Sequence, residues 1–117
     1  SFGINYQWEF DDFMHNYGCT VHSFDPGMNY KDKRAENHFF HKVGLGNYSG
    51  GHHGPSTLYN KNIKYSVETV QNMMKQLGHD FVDLIRLDVE GAEWDVLDFL
   101  PYHQLGQLSE LAEKLVP

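Results

Sequence analysis

Basic residues are scarce in this 117-residue chain: nine Lys and Arg stand against sixteen Asp and Glu, a formal charge of -7. A nucleic-acid partner requires a cationic stripe to displace counterions from phosphate, and none is available here. Cysteine is nearly absent, and Cys19 alone permits no internal disulfide, so the redox compartment stays open. No apolar run approaches the roughly 18 residues that span a bilayer, and no signal-peptide pattern stands at the start. Repeats, low-complexity tracts and internal linkers are also missing. So is the G-x-G-x-x-G fingerprint that cradles a dinucleotide pyrophosphate. Metal-type spacing is lacking: His52 and His53 are adjacent in a glycine-rich stretch, with His38 and His41 upstream. Metal pairs usually sit roughly two to five residues apart on a defined element, so these read as solvated loop histidines and no metal is expected.

What is present is enough for a core. Apolar content of 40% with 15% aromatic excludes a disordered chain. The length suits one domain over residues 1–117, burying roughly two-thirds of its unfolded surface. Ser1-Phe2-Gly3-Ile4 reads as the tail of a first strand whose earlier part is expected to lie upstream. Gly3 in the turn after it lets a ligand approach the backbone. Phe10, Phe13, Met14 and Tyr17 fall at i, i+3, i+4 and i+7, predicting a helix with a buried aromatic stripe that stops at Gly18. Residues 19–24 read as a second strand, broken by Asp25-Pro26-Gly27, and polar residues 30–37 as one or two helical turns. Residues 39–45 read as a third strand ended by Gly46-Asn47, and residues 48–62 as a long loop. A second helix rests on Val67, Val70, Met73, Met74 and Leu77, with Ser66 as N-cap and Gly78 as stop. Residues 81–87 form a fourth strand. Residues 92–100 read as a helix with Val96, Leu97 and Leu100 facing the sheet, and residues 105–116 carry helical spacing with no strand-like run.

The organising stretch is Leu84-Ile85-Arg86-Leu87-Asp88-Val89-Glu90-Gly91-Ala92-Glu93-Trp94. An apolar run without clean alternation suits a strand covered on both faces, so the fold class is α/β with a largely parallel sheet. Ligands of such sheets lie outside the carboxyl ends of the strands, where Asp88 and Glu90 fall. Asp88 is either a solvated strand end or a functional carboxylate. Asp25 either starts an Asp-Pro turn or accepts from a ribose diol, and its 22-residue distance from Gly3 matches the roughly 20 expected of the ribose acid.

Read together, Ser1-Phe2-Gly3-Ile4, Gly18-Cys19-Thr20-Val21-His22-Ser23-Phe24-Asp25-Pro26 and Leu87-Asp88-Val89-Glu90-Gly91-Ala92-Glu93-Trp94-Asp95-Val96-Leu97 resemble the methyltransferase-like family related to the FkbM methyltransferases. The resemblance covers about residues 1–100. It implies a Rossmann-like three-layer sandwich, truncated here at both ends and atypical over residues 101–117, with S-adenosyl-L-methionine as cofactor. The implied activity is methyl transfer to a small hydroxyl, sugar or carboxyl acceptor. Position by position, Gly3 and Ile4 would approach the methionyl part, Asp25 and Pro26 the ribose, and Gly46 and Asn47 the adenine. Asp88 would face the methyl-transfer site as the catalytic carboxylate, with Glu90 as second catalytic candidate and Glu93 in support. Two departures stand out: the family's fifth strand with a Glu-x-His-like end has no counterpart in Gly106-Gln107-Leu108-Ser109-Glu110-Leu111, and most of the first strand is absent. They keep open a degenerate or truncated domain that binds a cofactor or partner without turnover. A dinucleotide enzyme is weaker, with one glycine where several are needed. The expected partner is a small-molecule acceptor, with no nucleic acid and no membrane segment. Asp25→Ala is expected to weaken cofactor binding and to leave unliganded stability nearly unchanged. The acceptor, the compartment and the oligomeric state are not legible.

Overall fold

The architecture is set by a three-residue wedge. Phe2 bridges Phe24 on one side and Leu87 on the other, both in parallel. The computed structural model describes residues 1–56, 61–88 and 96–110. In chain order these form α1 (Glu9–Tyr17), β1 (Val21–Phe24), β2 (Lys33–Ala35), β3 (His38–His41), β4 (Gly44–Leu45) and β5 (Gly50–Ser56). They continue with β6 (Lys61–Glu68), α2 (Val70–Leu77), β7 (Val82–Leu87), single 3₁₀ turns at Leu97–Phe99 and Tyr102–Gln104, and β8 (Leu105–Glu110).

On one flank of Phe2, β1 pairs in parallel with β3, and β2 lies antiparallel outside β3. On the other flank, β7 pairs in parallel with β8. A second sheet holds β4 parallel and β5 antiparallel to β6. The molecule is therefore α/β with small mixed sheets, which corrects the expected largely parallel one. The longest ladder is the antiparallel pairing of β5 with β6, from Gly50↔Val67 to Ser56↔Lys61. It occupies most of the expected loop over residues 48–62. Glycine and proline carry little strand propensity, but β5 is an edge strand, where Pro55 needs no ladder donor.

Other expectations shift for local reasons. The third strand ends at His41, because Val43 N–H donates to the His41 carbonyl at 3.0 Å and turns the chain into a different ladder. Gly46 and Asn47 therefore follow β4, not the strand beside β1. Residues 33–35 are strand, not helix. The N-cap of α2 is Thr69, whose Oγ1 accepts from Asn72 N–H at 3.2 Å, because Ser66 and Val67 belong to β6. Both helices end as expected, on left-handed Gly18 (φ 115°) and Gly78 (φ 74°). Residues 105–110 pair with β7 where helix was expected. Leucine spacing suits either period, but at Gly106 an added Cβ would stand 2.4 Å from the Asp83 carbonyl oxygen. Only a residue without a side chain lets the two strands come that close.

The main core joins Phe2, Phe24, Leu45, Val70, Met73, Met74, Ile85, Leu87, Val96 and Leu100. The rings of Phe2 and Phe24 stack at 4.7 Å. The aromatic stripe of α1 is not core: Phe13 and Tyr17 are 66% and 80% exposed. The face of α1 that packs on the sheet carries Asp11, fully buried against Ser23 and, through Ser23, His38. Ser23 Oγ donates to Asp11 Oδ2 and lies 3.0 Å from His38 Nε2. This Asp-Ser-His cluster has the composition of a nucleophile relay, but Ser23 is 0% exposed and no substrate reaches it. It docks α1 on the sheet by polar contacts where the sequence suggests apolar ones.

On the opposite face of β1, His22 Nδ1 lies 2.9 Å from His41 Nε2, and His79 meets the His22 ring edge-on at 5.1 Å. Burial, followed by the neighbouring His41 and His79, pushes His22 down to about 4. The unfolded chain takes up this proton near the ordinary histidine value of about 6.5. Protons therefore favour the unfolded state below that pH, and stability held at neutral pH falls as the pH drops from about 6.5 to about 4. Urea unfolding at pH 7.5 and 4.5 should show this loss, and His22→Phe, which keeps the stack on Phe39, should remove much of it.

Candidate functional site

Three parallel strand ends lie side by side, and each carries one of the residues singled out above. Phe2 N–H donates to the Arg86 carbonyl and Asp88 N–H to the Phe2 carbonyl, both at 2.9 Å. Phe24 N–H donates to the Ser1 carbonyl at 2.8 Å and Gly3 N–H to the Phe24 carbonyl at 2.9 Å. Gly3, Asp25 and Asp88 are thus brought to one edge, with Gly3 in the middle at φ 86°. A side chain at that φ is strained, so the bare backbone at this point has a steric reason.

Asp25 is nearly buried, and three backbone amides converge on it. Its Oδ2 accepts from Ile4 N–H at 2.9 Å and Asn5 N–H at 2.8 Å, and its Oδ1 from Gly27 N–H at 2.8 Å. Ile4 is fully buried beside it and Pro26 half-buried after it. The chain leaves Ile4 through a tight turn in which Asn5 and Tyr6 both have positive φ (50° and 60°), closed by Gln7 N–H donating to the Ile4 carbonyl at 2.8 Å. A carboxylate offers about four lone-pair sites, so roughly one acceptor site of Asp25 is left for a ligand hydroxyl. The reading of Asp25 as a turn residue with few contacts is corrected: it ties the first loop to the end of β1.

Asp88 is 8% exposed, and Arg86 Nη2 lies 3.4 Å from its Oδ2. The same guanidinium sends Nη1 to the Gly3 carbonyl and to Ser1 Oγ, each at 3.3 Å, and lies over the Phe10 ring at 5.4 Å. Arg86 escaped the sequence reading. Its signal was a lone cation in an apolar strand, two residues before Asp88 and so on the same face. Tyr6 and Met28 were missed too: Tyr6 N–H points at Met28 Sδ from 3.3 Å, and the Tyr6 ring is half exposed beside the strand ends.

The remaining candidates lie elsewhere. Gly46 N–H donates to the Glu68 carbonyl at 3.0 Å, which fixes it on β6, and Asn47 is exposed beyond it. No hydrogen bond among the described residues joins this pair to Gly3, Asp25 or Asp88. Glu90 and Glu93 lie outside the described residues. His52 and His53 stand in β5, opposite Tyr65 and Lys64. Among the described residues no three His, Cys, Asp or Glu converge as metal ligands, and no helix is long and apolar enough to cross a membrane.

Comparison with known proteins gives the family. A model described as a methyltransferase domain matches residues 1–107. Two curated relatives carry the name probable methyltransferase-like protein 24. The one from Homo sapiens is 29% identical over 104 residues, and that from Rattus norvegicus 28% over 103. Each match covers 85% of this chain, and the chain spans about a quarter of their length, 27% and 28%. No solved structure matches.

The amides on Asp25 yield a stability test. Asp25→Ala leaves three backbone donors without their acceptor, one buried and two partly buried, and should lower the unfolding free energy by about 2–4 kcal/mol, the scale of lost hydrogen bonds to a charged group. Asp25→Asn, which keeps one acceptor oxygen, should lose less. Denaturant titration of the three proteins without ligand checks both, and an Ala variant as stable as wild type would return Asp25 to a surface turn.

Proposed function

Since the chain belongs to the methyltransferase domain family, we propose that it is the cofactor-binding part of an S-adenosyl-L-methionine-dependent methyltransferase with a Rossmann-like ancestry. The single observation that carries this reading is the meeting of Gly3, Asp25 and Asp88 at the ends of three adjacent parallel strands. The order of the parallel strands, β3-β1-Phe2-β7-β8, supports it. The motif from Asp88 to Leu97 supports kinship with the FkbM methyltransferases.

The residues fit such a cofactor. Gly3 presents backbone with no Cβ, and the remaining acceptor site of Asp25 suits one ribose hydroxyl. Gly46, Asn47 and Pro26 are kept as adenine-side and ribose-side candidates on the resemblance alone. When bound, S-adenosyl-L-methionine supplies a methyl group activated by its sulfonium. What the chain must add is chiefly placement. Asp88, on the central edge and in reach of the Arg86 guanidinium, is the residue to orient an acceptor hydroxyl and take up its proton. Glu90 is the second candidate. The acceptor class is a small hydroxyl, sugar or carboxyl compound.

A domain that binds without turnover is the second reading, favoured by the three backbone amides that already occupy most of Asp25.

Calorimetry should show binding of S-adenosylhomocysteine and none of NAD; binding of NAD alone would overturn the proposal. With an acceptor found by screening, Asp88→Asn should cut single-turnover methyl transfer by roughly 10²-fold while changing cofactor affinity modestly. Undiminished transfer in that variant, with a lowered melting temperature, would make Asp88 a structural cap and move the catalytic role to Glu90.

A further inference from the structure

The aromatic rings on the α2 side of the sheet stand in a row. His22 and Phe24 of β1 lie directly opposite Phe39 and His41 of β3. Each pair stacks, at 5.2 Å and 4.6 Å between centroids. Phe2 stacks on the other side of Phe24 at 4.7 Å. Phe2, Phe24 and His41 are therefore successive plates, one per strand, tilted by only 16° and 18° from one to the next. The row stops at His41. The next plate belongs to the place of β2, but β2 starts at Lys33, which stands opposite Phe39. Asp32 before it is held by its backbone, its carbonyl accepting from Phe40 N–H at 2.8 Å. Among the described residues no ring lies on the outer side of His41.

A cleft of about 490 Å³ opens there, between β3 and α2. Its size falls in the range of small-molecule sites, roughly 300–1,000 Å³. Phe39 and His41 line it from the sheet, and Met73 and Leu77 from the helix. Its walls thus offer ring and thioether surface, which suits a flat ring. The rim is acidic. Asp32 stands near enough to His41 to act on its charge, and Glu68 lies just before the Thr69 cap of α2. Hydrogen bonds from Ser49 and Asn72 hold the Glu68 carboxyl below its ordinary value, so it is charged at neutral pH. Lys42 is the only Lys or Arg among the described residues that line the cleft, and its Nζ donates to Asn29 Oδ1. Burial holds His41 below the ordinary histidine value, so its ring is neutral at pH 7.5 and does not repel a cation.

We propose that this cleft binds a planar aromatic cation of the arylalkylamine class, its ring forming the plate after His41 and its ammonium beside Asp32. Stacking supplies the affinity for a flat ring, and the negative faces of the row attract positive charge as well. The acidic rim disfavours a ring that carries a phosphate or a carboxylate, and the overall charge of -7 works in the same direction. This site is separate from the strand-end edge. Asp25 and Asp88 lie past the strand ends and neither lines the cleft, which faces the side of the sheet. The inference therefore stands on the ring row and the rim, and does not depend on which cofactor the edge takes.

Three probes test it by NMR titration at pH 7.5, with and without excess S-adenosylhomocysteine: tryptamine, indole-3-acetate and cyclohexylethylamine. Tryptamine should give a saturable upfield shift of the His41 ring protons and bind more tightly than the other two. Asp32 is exposed, so Asp32→Asn tests the charge without disturbing the fold. It should weaken tryptamine by about 2–5-fold, the scale of an exposed ion pair, and leave indole-3-acetate no weaker. His41→Phe keeps the plate and should keep the binding. His41→Leu removes it and should cost about 2–10-fold, the scale of one aromatic contact. Absence of a saturable shift at His41 would overturn the proposal, as would unchanged tryptamine affinity in Asp32→Asn. Cyclohexylethylamine binding as tightly as tryptamine would reduce the site to its charge and overturn the stacked ring. Displacement of tryptamine by S-adenosylhomocysteine would overturn it too, by making the cleft part of the strand-end site.

Discussion

Four backbone hydrogen bonds around Phe2 hold this molecule together. Two run to β1 and two to β7, and they are the rungs by which the two flanks share one sheet. The apolar side of the same residue reinforces them. Phe2 is 5% exposed and stacks on Phe24, in a core that also takes Leu87 and α2. A parallel pair has no hairpin to set its register, so the register here comes from the wedge. Asp25 and Asp88 flank Gly3 because each is the residue that follows a partner of Phe2.

Electrostatics at this edge are arranged by the backbone more than by side-chain ion pairs. Asp25 is stabilised by three amide dipoles and needs no cation. Asp88 has Arg86 near it at 3.4 Å, a long contact that the guanidinium shares with the Gly3 carbonyl and Ser1 Oγ. A buried pair of this kind contributes little net stability, because desolvating both charges offsets their attraction. Its structural effect is positional: one planar fork touches Ser1 Oγ and the Gly3 carbonyl through Nη1 and Asp88 Oδ2 through Nη2, and so links the Phe2 wedge to the end of β7.

What could be read in the sequence was the punctuation. Asp25-Pro26-Gly27 and Asp88 end their strands where expected, because turn chemistry is local and does not depend on the rest of the fold. Gly18 and Gly78 stop their helices for the same reason. Reading failed where the deciding partner was distant. β5 forms from residues of poor strand propensity because β6, with Ile63, Tyr65 and Val67 at alternate positions, supplies its hydrogen bonds. Residues 105–110 become strand because β7 offers a free edge and Gly106 lets them approach. The stripe of α1 misled because amphipathic spacing gives a face but not its destination, and here Asp11 took the buried position. Of the candidate site, Asp25 and Asp88 were legible as strand ends, while Arg86 and the triple amide grip on Asp25 were not. Those depend on how far apart the strands stand, which spacing along the chain does not encode.

One consequence follows for how site and stability can be separated. Asp25 holds the fold through its side chain, so removing the carboxylate disturbs the loop that carries Ile4 and Asn5 along with any ligand contact. Asp88 holds the ladder through its backbone N–H, a bond to the Phe2 carbonyl that any side chain leaves in place. A change at Asp25 therefore mixes folding with binding. A change at Asp88 that keeps the side chain's shape leaves that backbone rung in place and acts on charge, on proton affinity and on the contact with Arg86. The two acids stand on equivalent strand ends and look alike in the sequence, yet at Asp25 the carboxylate itself accepts the amides that close the first loop, while at Asp88 the rung to Phe2 is made by the backbone.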